Sequence, residues 1–275
     1  MSIITISRGS YSRGKQVAEK LALKLGYECI SRDILLEASD EFNIPEIKLI
    51  RALHDPASVL DRFSHGKEKY LNYLCTALLQ HVRKDNIVYH GLAGHFFLRD
   101  ISHVLKVRVI ADMRDRVNEE MKRENISADE ALYVLQKDDE ERRKWAIQVY
   151  GVDTWDSRLY DIVLHIGRLT VDDAVDILFD MVQKPNFKTT TESKKLVEDL
   201  ALSARVKAAL VKIAPKIQVA ADDGKIYINN IGNNAESKDK DLFKSIAMQI
   251  EGVVEVIFNV PTEQHDHVNP FYNIG

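Results

Sequence analysis

Residues 2–23 read SIITISRGSYSRGKQVAEKLAL, and this stretch decides the fold. The apolar and β-branched residues at 2–7 are typical of a buried strand. Apolar side chains recur four positions apart over 14–25, which predicts a helix that Gly26 ends. The connecting segment GSYSRGK at 9–15 has the spacing G-x-x-x-x-G-K of a phosphate-binding loop. The sequence therefore predicts a strand, an anion-binding turn and a helix in direct succession.

The residue types of this loop suit a polyphosphate. Gly9 and Gly14 let the backbone curl so that successive N–H groups converge on phosphate oxygens, and the following helix adds its positive end. Lys15 is a cation that can reach the terminal phosphates, whereas Gln16 stands where a Ser or Thr hydroxyl commonly helps to hold Mg²⁺. A plain glycine-containing turn between a strand and a helix is the alternative that the sequence leaves open.

The composition indicates a globular protein with a substantial core, because 45% of the 275 residues are hydrophobic and 29% are charged. The net charge of −4 argues against nucleic acid or an anionic membrane as the main partner. Cys29 and Cys75 form neither a disulfide framework nor a metal knuckle, so no metal site is predicted. We see no signal peptide and no apolar stretch that could span a bilayer, so we expect a cytoplasmic location.

Strands and helices alternate after the first helix, which is typical of a parallel sheet flanked by helices. The expected fold class is therefore α/β, with a P-loop NTPase-type parallel sheet flanked by helices and a small α+β domain at the C-terminus. Further strands are predicted at 86–90, 104–111 and 160–166, and further helices at 34–36, 44–53, 67–84, 112–124, 127–149 and 171–182.

The chain divides at a segment that lacks apolar periodicity, PNFKTTTES, within a predicted linker at 185–194. The N-terminal domain, which contains the P-loop, is predicted to span 1–184, the C-terminal domain 195–262 and a loose tail 263–275. The C-terminal domain is expected to contain a helix at 196–212, a hairpin turning at Asp223-Gly224, a helix at 238–250 and a closing strand, VVEVIFNV.

Three blocks of the chain resemble the cytidylate kinase-like family, a branch of the P-loop nucleoside monophosphate kinases. The first block is ITISRGSYSRGKQVAEKLALKLGYECISRDIL at 4–35, and the second is NIVYHGLAGHFFLRDISHVLKVRVIADMRDRV at 86–117. The third, KDDEERRKWAIQVYGVDTWDSRLYDIVLHIGRL at 137–169, is similar to the family pattern D-x-x-R…Y-G-x-D-W-x-D…Y-D-x-V. This resemblance implies ATP and Mg²⁺ as cofactors and nucleotides as substrates.

The resemblance also implies roles for single residues. The nucleotide-binding residues are expected to be Arg8, Gly9, Ser10, Ser12, Arg13, Gly14, Lys15 and Gln16. The residues expected to bind the acceptor nucleotide are Asp33, Arg116 and Asp161. The catalytic residues are expected to be Lys15 with Asp139, Arg142 and Arg158 of the mobile lid and its end.

One departure from the family lies after the strand at 86–90, where an arginine that reaches toward the acceptor phosphate is replaced by Leu92. The lid segment carries Arg142, Arg143 and Lys144, which can neutralise charge on a moving phosphoryl group. A solvated helix with ion pairs such as Glu140 with Lys144 is the alternative for that segment.

The aromatic and histidine side chains near these blocks have open roles. His90 and His95 flank the sequence GLAG and suit either acid–base chemistry or packing. Trp145 and Trp155 suit either stacking on a base or packing within the lid. No histidine or cysteine cluster has the spacing of metal ligands.

The C-terminal segment resembles the BON domain through DLALSARVKAALVKI, the hairpin IQVAADDGKIYINNI and the ending IEGVVEVIFNV. Two functions follow from the two resemblances. The first is ATP-dependent phosphoryl transfer to a nucleoside monophosphate, with CMP or dCMP as the first acceptors to consider. The second is a catalytically degenerate nucleotide sensor that signals through the BON-like domain, which would then bind a protein or a small molecule. Gln16 and Leu92 favour the sensor.

Overall fold

The computed structural model describes residues 2–10, 12–31, 33–42, 66–91, 93–215, 217–229 and 237–258. These residues form two compact units. The first unit is built from 2–31 and 84–189, and the second from 34–42, 66–83 and the described residues from 190 onward. No helix among the described residues is long and apolar enough to cross a membrane.

The first unit is built on a five-stranded sheet in the order β2-β3-β1-β4-β5, with every pair parallel. Ile3 at the start of β1 lies opposite Ile87 and Val104, so the carboxyl ends of the central strands meet at one edge of the sheet. In such sheets ligands bind at that edge, where the strand order reverses. The strands are β1 (Ile3–Arg8), β2 (Glu28–Ile30), β3 (Ile87–Tyr89), β4 (Val104–Ala111) and β5 (Ile162–Ile166).

Helices cover the faces of this sheet. Val17 and Leu21 of the first helix are fully buried in a core that also contains Val107 and Val109 of β4 and Leu178 of the last helix. The opposite face of β4 carries the polar side chains that are described below. The helices of this unit are α1 (Gly14–Leu25), α4 (Gly94–Phe97), α5 (Met113–Glu124), α6 (Ala128–Tyr150) and α7 (Val171–Val182).

Local sequence signals fix the limits of the long helix α6, which contains the predicted lid residues. Ser127 accepts a hydrogen bond from the amide of Glu130, whose carboxylate in turn accepts from the amide of Ser127. This capping box satisfies two amides that the first helical turn leaves without partners. Gly151 ends the helix in the left-handed conformation. Trp145 and Tyr150 near this end are buried, so the helix is anchored at its C-terminal turn.

The second unit contains a three-stranded sheet with helices packed on it. β6 (Gln218–Asp222) and β7 (Lys225–Asn229) are antiparallel, and β8 (Glu255–Phe258) is parallel to β7. The hydroxyl of Thr76 and the amide of Asn72 both donate to the carbonyl of Ala204, at 3.2 Å and 3.3 Å. The helices are α2 (Asp33–Phe42), α3 (Gly66–Val82), α8 (Thr191–Leu210) and α9 (Ser237–Met248).

The structure confirms the predicted fold class, an α/β sheet of parallel strands with a small C-terminal sheet. Prediction missed β2, because Glu28–Ile30 is too short to show a pattern. Within the predicted linker at 185–194, a 3-10 turn occupies Pro185–Phe187 and α8 begins at Thr191, and the linker as a domain boundary stays a prediction. The predicted helix at 44–53 and the tail at 263–275 lie outside the described residues.

The compact units do not follow the continuous division predicted from the sequence. Residues 66–83 belong to the same unit as the C-terminal residues, although they lie inside the predicted domain 1–184. The boundary near the C-terminal segment falls between Thr189 and Thr190, within the predicted linker. As limits of inherited domains, 1–184 and 195–262 stay predictions.

The hairpin predicted at Asp223-Gly224 is present, and its turn depends on Gly224. Asp223 and Gly224 both have positive φ, 49° and 81°, as a tight two-residue hairpin turn requires. A Cβ atom at Gly224 would lie 2.9 Å from the carbonyl oxygen of Gly252. Glycine is therefore required here both by the backbone conformation and by a close backbone neighbour.

We predict that Gly224→Ala lowers the free energy of unfolding by about 1–3 kcal/mol, since left-handed strain and the clash with Gly252 add. Gly26→Ala is the control, because Gly26 has a similar φ of 68° but open space around its Cβ position. This control should cost only about 1 kcal/mol, the strain term alone. Urea denaturation measures both, and equal losses would contradict the steric argument.

Candidate functional site

The loop after β1 is a tight turn bound to the end of β4. The amide and the hydroxyl of Ser12 both donate to the carbonyl of Gly9, at 3.3 Å and 3.0 Å. The same hydroxyl donates to the carbonyl of Val109 at 2.8 Å, and the amide of Gly9 donates to that carbonyl at 3.4 Å. The fully buried Ser12 side chain thus fixes the loop at the carboxyl edge of the sheet.

The turn leads directly into α1, whose first amides point at the loop. Arg13 adopts the left-handed conformation, with φ of 64°, and the helix starts at Gly14. A Cβ atom at Gly14 would lie 2.8 Å from the Cβ of Arg8, so only glycine fits between the strand and the helix. The first turn of α1 contains no acidic residue. Helix geometry leaves the amides of this turn without intrahelical acceptors, so the turn is suited to an anion.

A carboxylate from the lid helix lies on this loop. The amide of Ser10 donates to Oδ1 of Asp139 at 3.2 Å, and the hydroxyl of Ser10 donates to Asp138 at 3.4 Å. The buried guanidinium of Arg116 joins both sides, because its Nε donates to the carbonyl of Ser10 at 2.6 Å and its Nη2 lies 2.7 Å from Oδ2 of Asp139. The loop, α5 and α6 are therefore linked by one buried ion pair.

Lys15 and Gln16 lie on the exposed side of the first turn of α1. The ammonium of Lys15 is 3.6 Å from the carboxylate of Glu19, one helical turn further on. Arg13 donates to Glu119 at 3.0 Å. Both cations of the loop are held only by surface ion pairs, which are worth little and leave them available to a phosphate.

The other predicted site residues are distributed differently. Arg142 is half-buried on α6. Arg158 lies 2.7 Å from Asp156 within one short turn, and its side chain is 88% exposed. Asp161 accepts a hydrogen bond from the amide of Lys106 at 2.7 Å, which ties β5 to β4. The structure thus brings Arg116 and Asp139 to the loop, and it gives Arg158 and Asp161 partners elsewhere. Leu92 and the side chain of Asp33 lie outside the described part of the chain.

A second polar cluster, beside the loop, was not recognised as a unit from the sequence. The hydroxyl of Tyr160 lies 3.3 Å from Oγ of Ser7 and 3.5 Å from Nε2 of His95. Nη1 of Arg108 donates to the Tyr160 hydroxyl at 3.2 Å and to the carbonyl of Thr154 at 2.8 Å. The one local signal was Arg108 itself, a guanidinium within the apolar strand VLKVRVIA.

His95 is buried in this cluster as a neutral imidazole. Burial, and to a smaller extent the positive charges of Arg108 and Lys106, together lower the pKa of His95 from 6.5 to about 3. The ring packs on Phe96 at 4.0 Å and on Tyr160 at 5.1 Å. His95 therefore has the packing role that the sequence left open beside acid–base chemistry.

The two tryptophans have different surroundings. Trp145 is 2% exposed and packs on Tyr150, whereas Trp155 is 56% exposed. The guanidinium of Arg143 lies 4.6 Å from the centre of the Trp155 ring and donates twice to Oδ2 of Asp153, at 2.7 Å and 2.9 Å. These hydrogen bonds lower the pKa of Asp153. Trp145 is core packing, and Trp155 is an accessible aromatic surface held in place by Arg143.

A strand that runs into a loop with the spacing G-x-x-x-x-G-K and then into a helix, within a parallel sheet, is the arrangement of P-loop proteins. The family model for the cytidylate kinase-like family matches residues 3–168. The chain belongs to the cytidylate kinase-like family, and it is a nucleoside monophosphate kinase-like phosphotransferase.

Individual relatives are similar over the same part of the chain. The cytidylate kinase of Sulfolobus acidocaldarius is 23% identical over 184 residues, which cover 66% of this chain and 95% of that protein. The cytidylate kinase of Staphylothermus marinus is 23% identical over 189 residues, covering 67% and 98%. A crystal structure of an uncharacterized protein from Eubacterium ventriosum shares the fold, with a TM-score of 0.51, 21% identity and coverage of 67% and 99%.

We predict that the buried His95 makes the protein lose stability in acid. Its folded pKa of about 3 lies below the unfolded value of 6.5, so only the unfolded chain binds a proton between these values. The associated stability is complete above pH 6.5 and is lost as the pH falls toward 3. In His95→Asn, the slope of unfolding free energy against pH between 6 and 4 should be smaller by about 1.4 kcal/mol per unit.

Denaturant titrations at a series of pH values measure this slope. His165→Asn, which removes an exposed imidazole from β5, controls for the loss of one histidine. A His95 variant with the wild-type slope would show that the imidazole is not kept neutral in the folded protein.

Proposed function

We propose that this protein transfers the γ-phosphoryl group of ATP to a nucleoside monophosphate, with CMP or dCMP as the first acceptors to test. The observation that carries the proposal is the turn of backbone amides before α1, which Ser12 holds on β4 and in which the amide of Ser10 already binds an anionic group, the carboxylate of Asp139. The family membership supports the reaction class, and the names of the two archaeal relatives support cytidylate as the acceptor.

In this proposal the loop holds the phosphates of ATP. The amides at the start of α1 converge on the anion, and Lys15 exchanges Glu19 for the β- and γ-phosphates. Asp139 leaves the amide of Ser10 as a phosphate oxygen takes its place. Such a site needs positioning and charge neutralisation rather than covalent chemistry.

The lid supplies the remaining charge in this scheme. Arg142 is half-buried on the same helix as Asp139, three residues further along, so the two lie on one side of α6. Arg142 then faces the transferring phosphoryl group when the lid closes, and closure excludes water that would hydrolyse ATP. Arg116 is released from Asp139 and binds a phosphate instead. The roles of Asp33, Arg158 and Asp161 stay as the family resemblance implies them.

The donor set suits Mg²⁺ bound mainly through the nucleotide. Among the described residues no group of three or more His, Cys, Asp or Glu side chains could hold a metal ion by itself. Mg²⁺ in kinases commonly keeps several waters and is bound by substrate phosphates with one or two carboxylates. In this proposal Asp139, whose carboxylate accepts a hydrogen bond from the amide of Ser10, would contribute one such ligand, and the ion would offset phosphate charge.

A nucleotide sensor is the second candidate. The observation that favours it is Gln16, which lies exposed at the position where a hydroxyl commonly binds Mg²⁺. In that reading the C-terminal segment is a BON-like domain that binds a protein or small molecule. The element order α8-β6-β7-α9-β8 supports the BON-like assignment, since it follows the αββαβ order of that resemblance.

An acceptor panel distinguishes the two candidates. Purified protein with ATP, Mg²⁺ and CMP, dCMP, UMP, AMP or GMP should form ADP with particular acceptors. Lys15→Ala should reduce turnover by at least about 100-fold, because the negative charge on the phosphoryl group in the transition state is then no longer neutralised by this ammonium. Lys20→Ala, on the same helix but paired with Asp172, is the control and should retain activity. Tight ATP binding without transfer to any acceptor would favour the sensor, and unchanged turnover in Lys15→Ala would contradict the site.

A second prediction concerns Asp138, whose carboxylate accepts a hydrogen bond from the hydroxyl of Ser10 in the loop. Asp138→Asn should lower the KM for ATP about two- to fivefold, because one negative charge near the phosphates is removed. Glu140→Gln is the matched control, since it removes the same charge from a neighbouring position that faces Lys144. Steady-state kinetics over a range of ATP concentrations measure both. A KM for ATP that falls equally in the two variants would show only a change in net charge.

A further inference from the structure

Arg108 is a guanidinium without an anionic partner. It is half-buried on β4, directly opposite Ser7 of β1, and no carboxylate of a described residue lies within ion-pair distance of it. Other arginines of this unit have such partners: Arg13 with Glu119, Arg116 with Asp139, Arg143 with Asp153 and Arg158 with Asp156. Burial of an unpaired charge costs free energy, so a site of this kind is suited to an external anion.

The guanidinium is held from one side only. Both of its hydrogen bonds to described residues use Nη1, to the carbonyl of Thr154 and to the hydroxyl of Tyr160. The Tyr160 ring lies 5.6 Å from the guanidinium carbon, which fixes its plane. Nε and Nη2 keep their donors, and two such nitrogens form the fork that binds a phosphate in bidentate fashion.

Among the described residues, the charged side chains near Arg108 include a second cation and one carboxylate that another arginine binds. His95 carries no charge at neutral pH, and Lys106 on the same face of β4 adds a second cation, with its ammonium on the carbonyl of Arg99. Asp153 is close enough to Arg108 for its pKa to be lowered by that charge, but its carboxylate is bound by Arg143. The local field therefore favours an anion.

The position of the cluster relates it to the phosphate loop. Ser7 of β1, whose hydroxyl lies 3.3 Å from the Tyr160 hydroxyl, precedes Gly9 of the loop by two residues. An anion on Arg108 would lie on the sheet face that carries His95, beside the loop and outside its turn of amides. Two anion sites next to each other are what a reaction between two phosphate-bearing substrates requires.

We propose that Arg108 binds the phosphate of the acceptor nucleoside monophosphate. The inference rests on the proposed function, because it assigns the second substrate of that reaction. Tyr160 is a positioning residue in this account, since it acts through the guanidinium that it holds.

Equilibrium binding tests the proposal without requiring turnover. CMP and cytidine are titrated separately into the full chain, with Trp155 fluorescence and calorimetry as readouts. Arg108→Gln should weaken CMP binding roughly 10- to 100-fold, the equivalent of two charge-assisted hydrogen bonds, and should leave cytidine binding unchanged. Arg108→Lys should restore part of the affinity, and Tyr160→Phe should weaken CMP binding by a smaller factor. Arg114→Gln, an exposed arginine on α5, is the matched control and should bind CMP as the wild type does.

Kinetics then separate this inference from the proposed function. In an active enzyme, Arg108→Gln should raise the KM for the acceptor and leave the KM for ATP unchanged. Transfer with an unaltered acceptor KM in this variant would overturn the inference and leave the proposed function in place. Arg108-dependent binding of CMP without transfer would support the inference and overturn the kinase. Equal weakening of CMP and cytidine, or no binding of any of the five monophosphates by the wild type, would overturn the inference.

Discussion

The candidate site depends on the two contacts of the buried Arg116 guanidinium. This guanidinium binds the carbonyl of Ser10 in the loop and the carboxylate of Asp139 in the lid at the same time. Removal of one partner from a buried ion pair is strongly unfavourable, by about 3–5 kcal/mol, unless another partner replaces it. Asp139 can therefore leave the loop readily only when another anion arrives. In the proposed reaction a phosphate would be that anion, which would couple nucleotide binding to a movement of α6 through one charge.

The alternation of side chains along β4 explains how one strand serves both the core and the site. Val107 and Val109 face α1 and α7 in the apolar core, whereas Lys106 and Arg108 face the opposite side. On the apolar side the carbonyl of Val109 also accepts the hydroxyl of Ser12, which fixes the loop. The strand whose Val109 carbonyl anchors the loop thus also carries Arg108, the proposed second anion-binding residue, on its other face.

Much of the fold followed from the sequence because its signals are local. The limits of β4 and α7 agree with the predicted ranges, since eight- and twelve-residue apolar patterns leave little choice. The start of α8 was missed because its signal is a capping box of Thr190 and Ser193 within a threonine run, and apolar periodicity does not reveal a cap.

The candidate site was predictable where one segment contains its chemistry. The loop at 9–15 is such a segment, because its glycines, its lysine and the helix that follows are adjacent in the sequence. The cluster around Arg108 joins side chains from β1, α4, β4 and the segment before β5, so only the folded chain brings them together. Arg158 and Asp161 show the converse. They match the family pattern by position, yet local hydrogen bonds to Asp156 and to the amide of Lys106 hold them in this structure.

The C-terminal residues form a unit with a helix from inside the family-matched range. The family model ends at residue 168, and α3 lies within it, yet Asn72 and Thr76 of α3 share the carbonyl of Ala204 in α8. All of these groups are buried, and the side-chain amide of Asn72 takes its acceptor from the other helix, whereas the hydroxyl of Thr76 also donates to the carbonyl of Asn72 in its own helix. A chain cut at 184 would expose this face of α3 and leave Asn72 without its acceptor. The segment after 190 is therefore part of the framework that supports α3, whatever ligand it binds.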